Sequence, residues 1–402
     1  MIQKERLWTK SYVLLILGNL FTFMSFQMLI PTLPPYIKSI GASGFEIGLM
    51  TALFSIGAIV IRPFIGFMLE YKTRKMLVLI GALGLLCMTF LYPLTNIIFV
   101  LLAFRLVHGI AWGWSTTANG TASVDLIPTS RIGEGTGYYG LSITLGMIIA
   151  PSLGLVLFEK ASFDILIYVS GLLGFIAVVL LAIVKYQTPE SVANVKKEEL
   201  KFSYSASLIE KSSLFPAFLT FLVAFGYGSI VSFIVIFGNE RGIENIFLFY
   251  LVNAIFATVA RPITGKLFDL KGPRSIVLVC SLLTFAGLWM LSLSYNSLHI
   301  AIAGALFGMG YGSILPTLQS WALFITPPRR RGIANGMSFS SIDLGIGLSG
   351  LVFGLLATFM EIATIFQISS FFVLIVFVLV IMKPQQGRLH NKDTLSEQRI
   401  SS

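Results

Sequence analysis

Runs of about 20 apolar residues follow one another along this chain, separated by short charged clusters. Their approximate bounds are 11–31, 45–69, 76–95, 97–119, 136–158, 164–184, 212–238, 245–267, 275–294, 299–322, 333–357 and 362–382. Hydrocarbon offers a free backbone amide no partner, so each run must be a helix or a strand of a closed barrel. The runs lack the period-two alternation of barrel strands. Composition agrees with a bilayer: 11% of residues are charged and 56% hydrophobic, against roughly a quarter charged in soluble domains. The expected fold is an all-α membrane protein of twelve transmembrane helices. The first run follows Lys4, Arg6 and Lys10, but it is long and leads to Pro31, Pro34 and Pro35 rather than to a small-residue cleavage site. It is expected to be retained and not removed as a signal peptide.

Basic residues set the expected orientation. Of the 28 lysines and arginines, Lys38, Lys160 and Arg241 fall in loops opposite the N-terminus, and Arg62, Arg105 and Arg261 fall inside spans. The rest share the N-terminal side. Both termini are therefore expected in the cytoplasm, with the protein in the plasma membrane. The formal charge of +10 then reads as a topology signal and a match to anionic lipid, not as a nucleic-acid surface. Cys87 and Cys280 both lie in apolar runs, where cysteine behaves as a small hydrophobe. No disulfide framework and no metal site is expected.

Like residues recur at one constant offset of 199: Arg62/Arg261, Pro63/Pro262, Gly66/Gly265, Gly109/Gly308, Gly113/Gly312, Arg131/Arg330 and Gly146/Gly345 are examples. Six spans thus form a unit that occurs twice in the same orientation, a parallel pseudo-twofold repeat. The expected organisation is a six-helix bundle over 1–184, a polar cytoplasmic linker over 185–211, a second bundle over 212–383 and a tail over 384–402. Two such bundles create a solute site at their interface near the midplane, exposed alternately to either side. A sensor or scaffold that kept an ancient duplication is the alternative from another class.

Asp343 is the only acidic residue near the middle of any span. At 100° per residue it shares a stripe with Gly336, Ser340, Gly347 and Gly350, a small and polar face suited to protein or a cavity rather than lipid. Its counterpart one repeat earlier is Thr144, so the shared fold does not demand an acid here. Asp343 is expected to carry the coupling proton; the alternative is a structural carboxyl bound to a neighbouring span or paired with Arg105. Glu46, near the end of the second span, is the reserve candidate. In the fourth span Arg105, His108, Trp112 and Asn119 recur at helical spacing and share a face. A buried arginine and a titratable histidine on one face suggest a lined cavity, or else a snorkelling arginine beside a structural histidine.

Several segments resemble the major facilitator superfamily, and within it the twelve-helix drug:proton antiporter branch. The loop holding Gly66, Glu70, Arg74 and Lys75 is similar to the superfamily's G-x-L-a-D-R-x-G-R-R/K signature, and Gly265, Asp269, Gly272 and Arg274 form its copy. The resemblance implies that Glu70 and Asp269 dock at the starts of the eleventh span, near Gly332, and of the fifth, near Gly133, and with Arg330 and Arg131 in the same gate hold the cytoplasmic side shut. Ordinary solvated turn charges are the alternative. Arg105-Leu-Val-His108-Gly109 resembles R-x-x-Q-G, with His for Gln. Gly137, Gly146, Ala150, Pro151 and Gly154 follow the branch's fifth-span pattern G-x8-G-x3-G-P-x2-G-G, with Ala150 for one glycine and Leu155 for the last. In the family that pattern marks exporters coupled to proton entry.

The resemblance also implies that the first, fourth, seventh and tenth spans line the cavity. Asn19, Gln27, Trp112, Asn119, Phe225, Tyr227 and Tyr311 are the candidates for substrate contact, and flat aromatics suit amphipathic or cationic solutes. No nucleotide-binding loop of G-x4-G-K-[ST] type occurs. The expectation is a proton-coupled antiporter, not an enzyme, exporting a drug-like or amphipathic small molecule or a metallophore. Its energy source is the proton gradient with no cofactor, its partners are substrate, protons and lipid with no nucleic acid, and it is expected to be a monomer. The transport alternative is a proton-coupled symporter for nutrient uptake.

Overall fold

The computed structural model describes residues 6–69, 72–128, 131–186, 203, 208–326 and 331–383, a few of them by backbone alone. The expected linker and tail fall largely outside these. Among the described residues twelve long helices are present: α1 (Lys10–Gln27), α3 (Gly44–Met68), α4 (Arg74–Leu91), α5 (Ile98–Asp125), α6 (Ile132–Lys160), α7 (Phe163–Ile183), α8 (Leu214–Glu240), α9 (Phe247–Lys271), α10 (Pro273–Ser292), α11 (Ser297–Ile325), α12 (Arg331–Leu356) and α13 (Ile362–Met382). Eleven are long and apolar enough to cross a membrane; the twelfth is α1, diluted by Lys10, Asn19 and Gln27. A short α2 (Leu33–Ser39) follows α1 and holds Pro34 and Pro35 in its first turn, where a missing N–H costs no helical bond.

Local chemistry sets several helix ends. Ser43 and Glu46 close a capping box on α3: the Ser43 backbone N–H donates to Glu46 Oε2 at 2.7 Å, and the Glu46 N–H donates to Ser43 Oγ at 3.3 Å. Gly272, at φ +75°, turns the chain from α9 into α10, and Pro273 opens the new helix. The fourth span runs to Asp125, one and a half turns past its expected end at 119, because Thr116, Thr117 and Ser123 bond back to helix carbonyls and stay compatible with the helix.

The repeat at offset 199 is a repeat of contacts. In the first bundle α3 packs on α5, α4 on α5 and α7, and α1 on α6 and α7; in the second α9 packs on α11, α10 on α11 and α13, and α8 on α12 and α13. A Cβ added at Gly109 would lie 2.9 Å from Phe54 Cα, and one at Gly308 would lie 2.8 Å from Asn253 Cα. Those glycines and those partners are each one repeat apart. Gly113 on Ala58 and Gly312 on Ala257 form a second matched pair. Only glycine lets these backbones approach so closely.

Between the bundles the contacts also come in twofold pairs, second span on eleventh (α3 on α12) and eighth on fifth (α9 on α6). The start of α1 meets the end of α7, where the Lys185 N–H donates to Ser11 Oγ at 3.3 Å, which defines a terminal face. On the far face Lys38 Nζ donates to Glu240 Oε1 at 2.6 Å, linking α2 to α8 across the bundles.

Candidate functional site

The seam between α3 and α12 is built from the stripe of small residues around Asp343. Nearest the far face, a Cβ at Gly354 would sit 2.8 Å from the Gly44 carbonyl oxygen, and one at Gly350 would sit 2.7 Å from that of Gly48. Deeper, Gly347 lies on Ser55, and Thr51 shares a 3.2 Å hydroxyl contact with Ser232 of α8. The seam then ends on an ion pair. Arg62 Nη2 donates to Asp343 Oδ2 at 2.6 Å and Nε donates to the same oxygen at 3.2 Å, while Nη1 donates to Thr116 Oγ1 at 3.2 Å. Both residues are over 90% buried as whole residues. The partner of Asp343 is thus Arg62 of the opposite bundle, and not the Arg105 named in the alternative reading of this carboxyl. Arg62 was readable as an intramembrane charge but carried no sign of its partner.

Arg105 lies inside the first bundle, its guanidinium carbon 4.3 Å from the ring centre of Phe54 and 5.8 Å from that of Phe26. His108 Nδ1 is 3.0 Å from the Tyr92 hydroxyl, and Trp112 stacks on Phe26 with ring centres 4.0 Å apart. The shared face of α5 therefore points into the bundle at this level, against α1 and α3. Two turns beyond Trp112, Asn119 Nδ2 donates to Asn19 Oδ1 at 3.4 Å and Asn19 Nδ2 donates to Ser142 Oγ at 3.0 Å, joining α5, α1 and α6. Gln27 is buried at the end of α1. A cavity of about 10 Å³ between Thr22, Ser25, Thr89 and His108 has room for about one water molecule.

In the second bundle the structure separates two residues that stand two apart in sequence. Phe225 packs on Phe353 and Phe372, ring centres 5.2 and 4.3 Å away, against α12 and α13. Tyr227 lies instead on Tyr311, the tilted rings 4.4 Å apart, and stacks with Phe307 at 5.8 Å, against α11.

The glycines of the fifth-span pattern seat α6 on α1. A Cβ at Gly146 would lie 2.6 Å from Phe23 Cβ, and one at Gly154 would lie 2.9 Å from Met28 Cα. Ala150 is fully buried, Pro151 sits within the helix, and Gly137 is placed by its backbone alone.

On the terminal face Arg74 Nε donates to Asp125 Oδ2 at 2.6 Å and Arg74 also donates to the Leu69 carbonyl, tying α4 to α5. Asp125 was not expected here, because the sequence placed it beyond its span. Arg274 Nη2 donates to the Ile381 carbonyl at 2.9 Å, and the Arg131 N–H donates to the Pro128 carbonyl at 2.8 Å. Gly66 and Gly265 face open space. Glu70 and Arg330 lie outside the described residues, and Asp269 is placed by backbone alone. Glu46 sits half-buried in its capping box at the far face.

At the second inter-bundle contact, between α6 and α9, an apolar cleft of about 560 Å³ is lined by Ile149, Leu153, Val156, Leu251, Ile255 and Val259. None of the candidate substrate residues lines it.

The model of the Major Facilitator Superfamily matches residues 15–275 and 252–399 of this chain. An uncharacterized MFS-type transporter, MJ1560 of Methanocaldococcus jannaschii, is 25% identical over 377 residues, covering 91% of this chain and 96% of that protein. The quinolone resistance protein NorA of Staphylococcus aureus is 23% identical over 400 residues, covering 96% and 99%. Among solved structures, the nucleoside transporter NupG superposes with a TM-score of 0.73 at 14% identity, covering 93% of this chain and 98% of that one. A POT family transporter in complex with a thioalcohol-conjugated peptide gives 0.71 at 14% identity, covering 92% and 95%. Likeness at that identity is a likeness of fold.

Proposed function

This chain belongs to the Major Facilitator Superfamily, and we propose that it is a proton-coupled antiporter that exports an amphipathic, drug-like small molecule by alternating access. The observation that carries this reading is the Arg62–Asp343 pair across the seam. A buried pair that loses one charge leaves the other uncompensated, at a cost of about 3–5 kcal/mol. Protonating Asp343 removes its charge without removing Arg62. Proton binding and opening of the α3–α12 seam then share one free energy, which is what coupling requires.

The direction of the cycle follows. With the pair formed, the seam is shut from Gly44 to Arg62 and the far face is closed. This is the form that has released its proton to the side of the termini, the cytoplasm by the positive-inside rule, and receives substrate there. Opening toward the far face lets Asp343 take a proton from outside as substrate leaves. The signature loops after the second and eighth spans supply the complementary gate that shuts the cytoplasmic side. Export over uptake is supported by the fifth-span pattern on α6 and by the relative named for quinolone resistance. The energy source is the proton gradient across the plasma membrane, the working unit is one chain, and Trp112, Tyr227 and Tyr311 offer flat surfaces to the substrate.

The test uses proteoliposomes loaded at a defined internal pH. A quinolone or a fluorescent amphipathic dye should move against the proton gradient with the parent protein. Movement along the proton gradient, into the compartment that protons enter, would instead make the chain an uptake symporter.

A further inference from the structure

We propose that Arg105 is the anchor for a carboxylate on the substrate, so that the transported class is an aromatic or amphipathic acid. The inference rests on the transport reading above and names the substrate chemistry of its first bundle.

Four other arginines show what this fold does with a guanidinium. Arg62 and Arg74 donate to carboxylates, Arg241 to the carbonyls of Ser292 and Ser294, and Arg274 to that of Ile381. Arg241 makes these bonds even with the rings of Phe237 and Tyr295 4.7 and 4.4 Å away, so contact with aromatic faces does not by itself displace them. Arg105 differs. It is 4% exposed, and its Nε and Nη1 have no hydrogen-bond partner. Its polar neighbour is the neutral Tyr92 hydroxyl, already shared with His108. No carboxylate pairs with it among the described residues.

A buried cation without a counter-charge is costly, and a guanidinium N–H makes a charge-assisted bond to a carboxylate oxygen. The surroundings suit an aromatic acid. Phe26 and Phe54 lie over the guanidinium and stack 5.0 Å apart, and Trp112 continues the stack. Gln27 Oε1 and His108 Nε2 are buried without partners on the same two helices, α1 and α5. The ring covering Arg105, Phe54, belongs to α3, whose Thr51 and Ser55 form the seam with the second bundle.

The experiment compares an acid with its uncharged isostere. Binding of 2-naphthoate and 2-naphthamide to the purified full-length protein is measured by calorimetry at neutral pH, without a proton gradient. The parent should prefer the acid by about tenfold or more, as one charge-assisted bond supplies. In Arg105→Gln that ratio should fall to near one. If Arg105→Gln does not purify folded, Arg105→Lys is read instead, with a reduced ratio because an ammonium makes a point contact. Equal affinity in the parent, binding of neither probe, or a ratio unchanged in the variants overturns the proposal. Since no gradient is used, an acid preference without proton-coupled export would sink the export reading alone. Coupled export without the preference would sink the carboxylate subsite alone.

Discussion

The guanidinium of Arg62 meets the carboxylate of Asp343 at 2.6 Å although 281 positions of chain separate them, one residue in each bundle. Within their spans both could have been satisfied locally. Each instead depends on the other bundle, which makes the pair a report on whether the bundles are together.

A double-mutant cycle on this pair should be strongly non-additive. Arg62→Gln alone or Asp343→Ala alone leaves a buried charge or its donors unmatched and should cost about 3–5 kcal/mol. The combined variant should recover most of that loss. Thermal unfolding of the four proteins in detergent measures it, and additive losses would mean that the two groups do not interact.

The backbone contact at Gly48 should govern closure of the far face. A side chain there meets Gly350 carbonyl carbon at 2.7 Å and Gly354 Cα at 2.9 Å, neither of which can yield as a rotamer would. Gly48→Leu is expected to lengthen the distance between spin labels at positions 39 and 239, beside the pair of Lys38 with Glu240 that the parent keeps. Gly66 faces open space, so Gly66→Ala should leave that distance alone and stabilise its helix by up to about 1 kcal/mol. Identical label distances in Gly48→Leu and the parent would show that the seam does not control the far face.

Phe225 and Tyr227 should respond differently to truncation. Phe225→Ala removes a ring packed against Phe353 and Phe372 and is expected to cost about 3–5 kcal/mol. Tyr227→Phe keeps the ring on Tyr311 and should stay within about 1 kcal/mol of the parent. Similar unfolding temperatures for Phe225→Ala and Tyr227→Phe would contradict the division of this helix into two faces.

The sequence carried the architecture because the constraints on it are local or periodic. The repeat at offset 199 foretold that Gly109 and Gly308 would meet partners one repeat apart, and the stripe of Asp343, Gly347 and Gly350 foretold a face on protein. Partner identity was beyond it. Nothing near Asp343 in sequence names Arg62, since two helices of different bundles meet through tertiary packing alone. Asp125 was missed for a simpler reason: polar residues from Thr116 onward read as the end of a span, while their hydroxyls bond to helix carbonyls and let α5 continue. Phe225 and Tyr227 were grouped because both lie on the seventh span, but residues two apart on a helix are turned by about 200°.

Substrate-driven proton flux in proteoliposomes, compared between the parent and Asp343→Asn, tests the coupling most directly. Asn keeps the size of the side chain and cannot exchange a proton. Release of substrate down its gradient should draw protons the opposite way in the parent, and this flux should vanish in Asp343→Asn together with uphill export, while substrate still binds. An Asp343→Asn protein that exports against a gradient with the parent's pH dependence would contradict the assignment of Asp343 as the proton carrier.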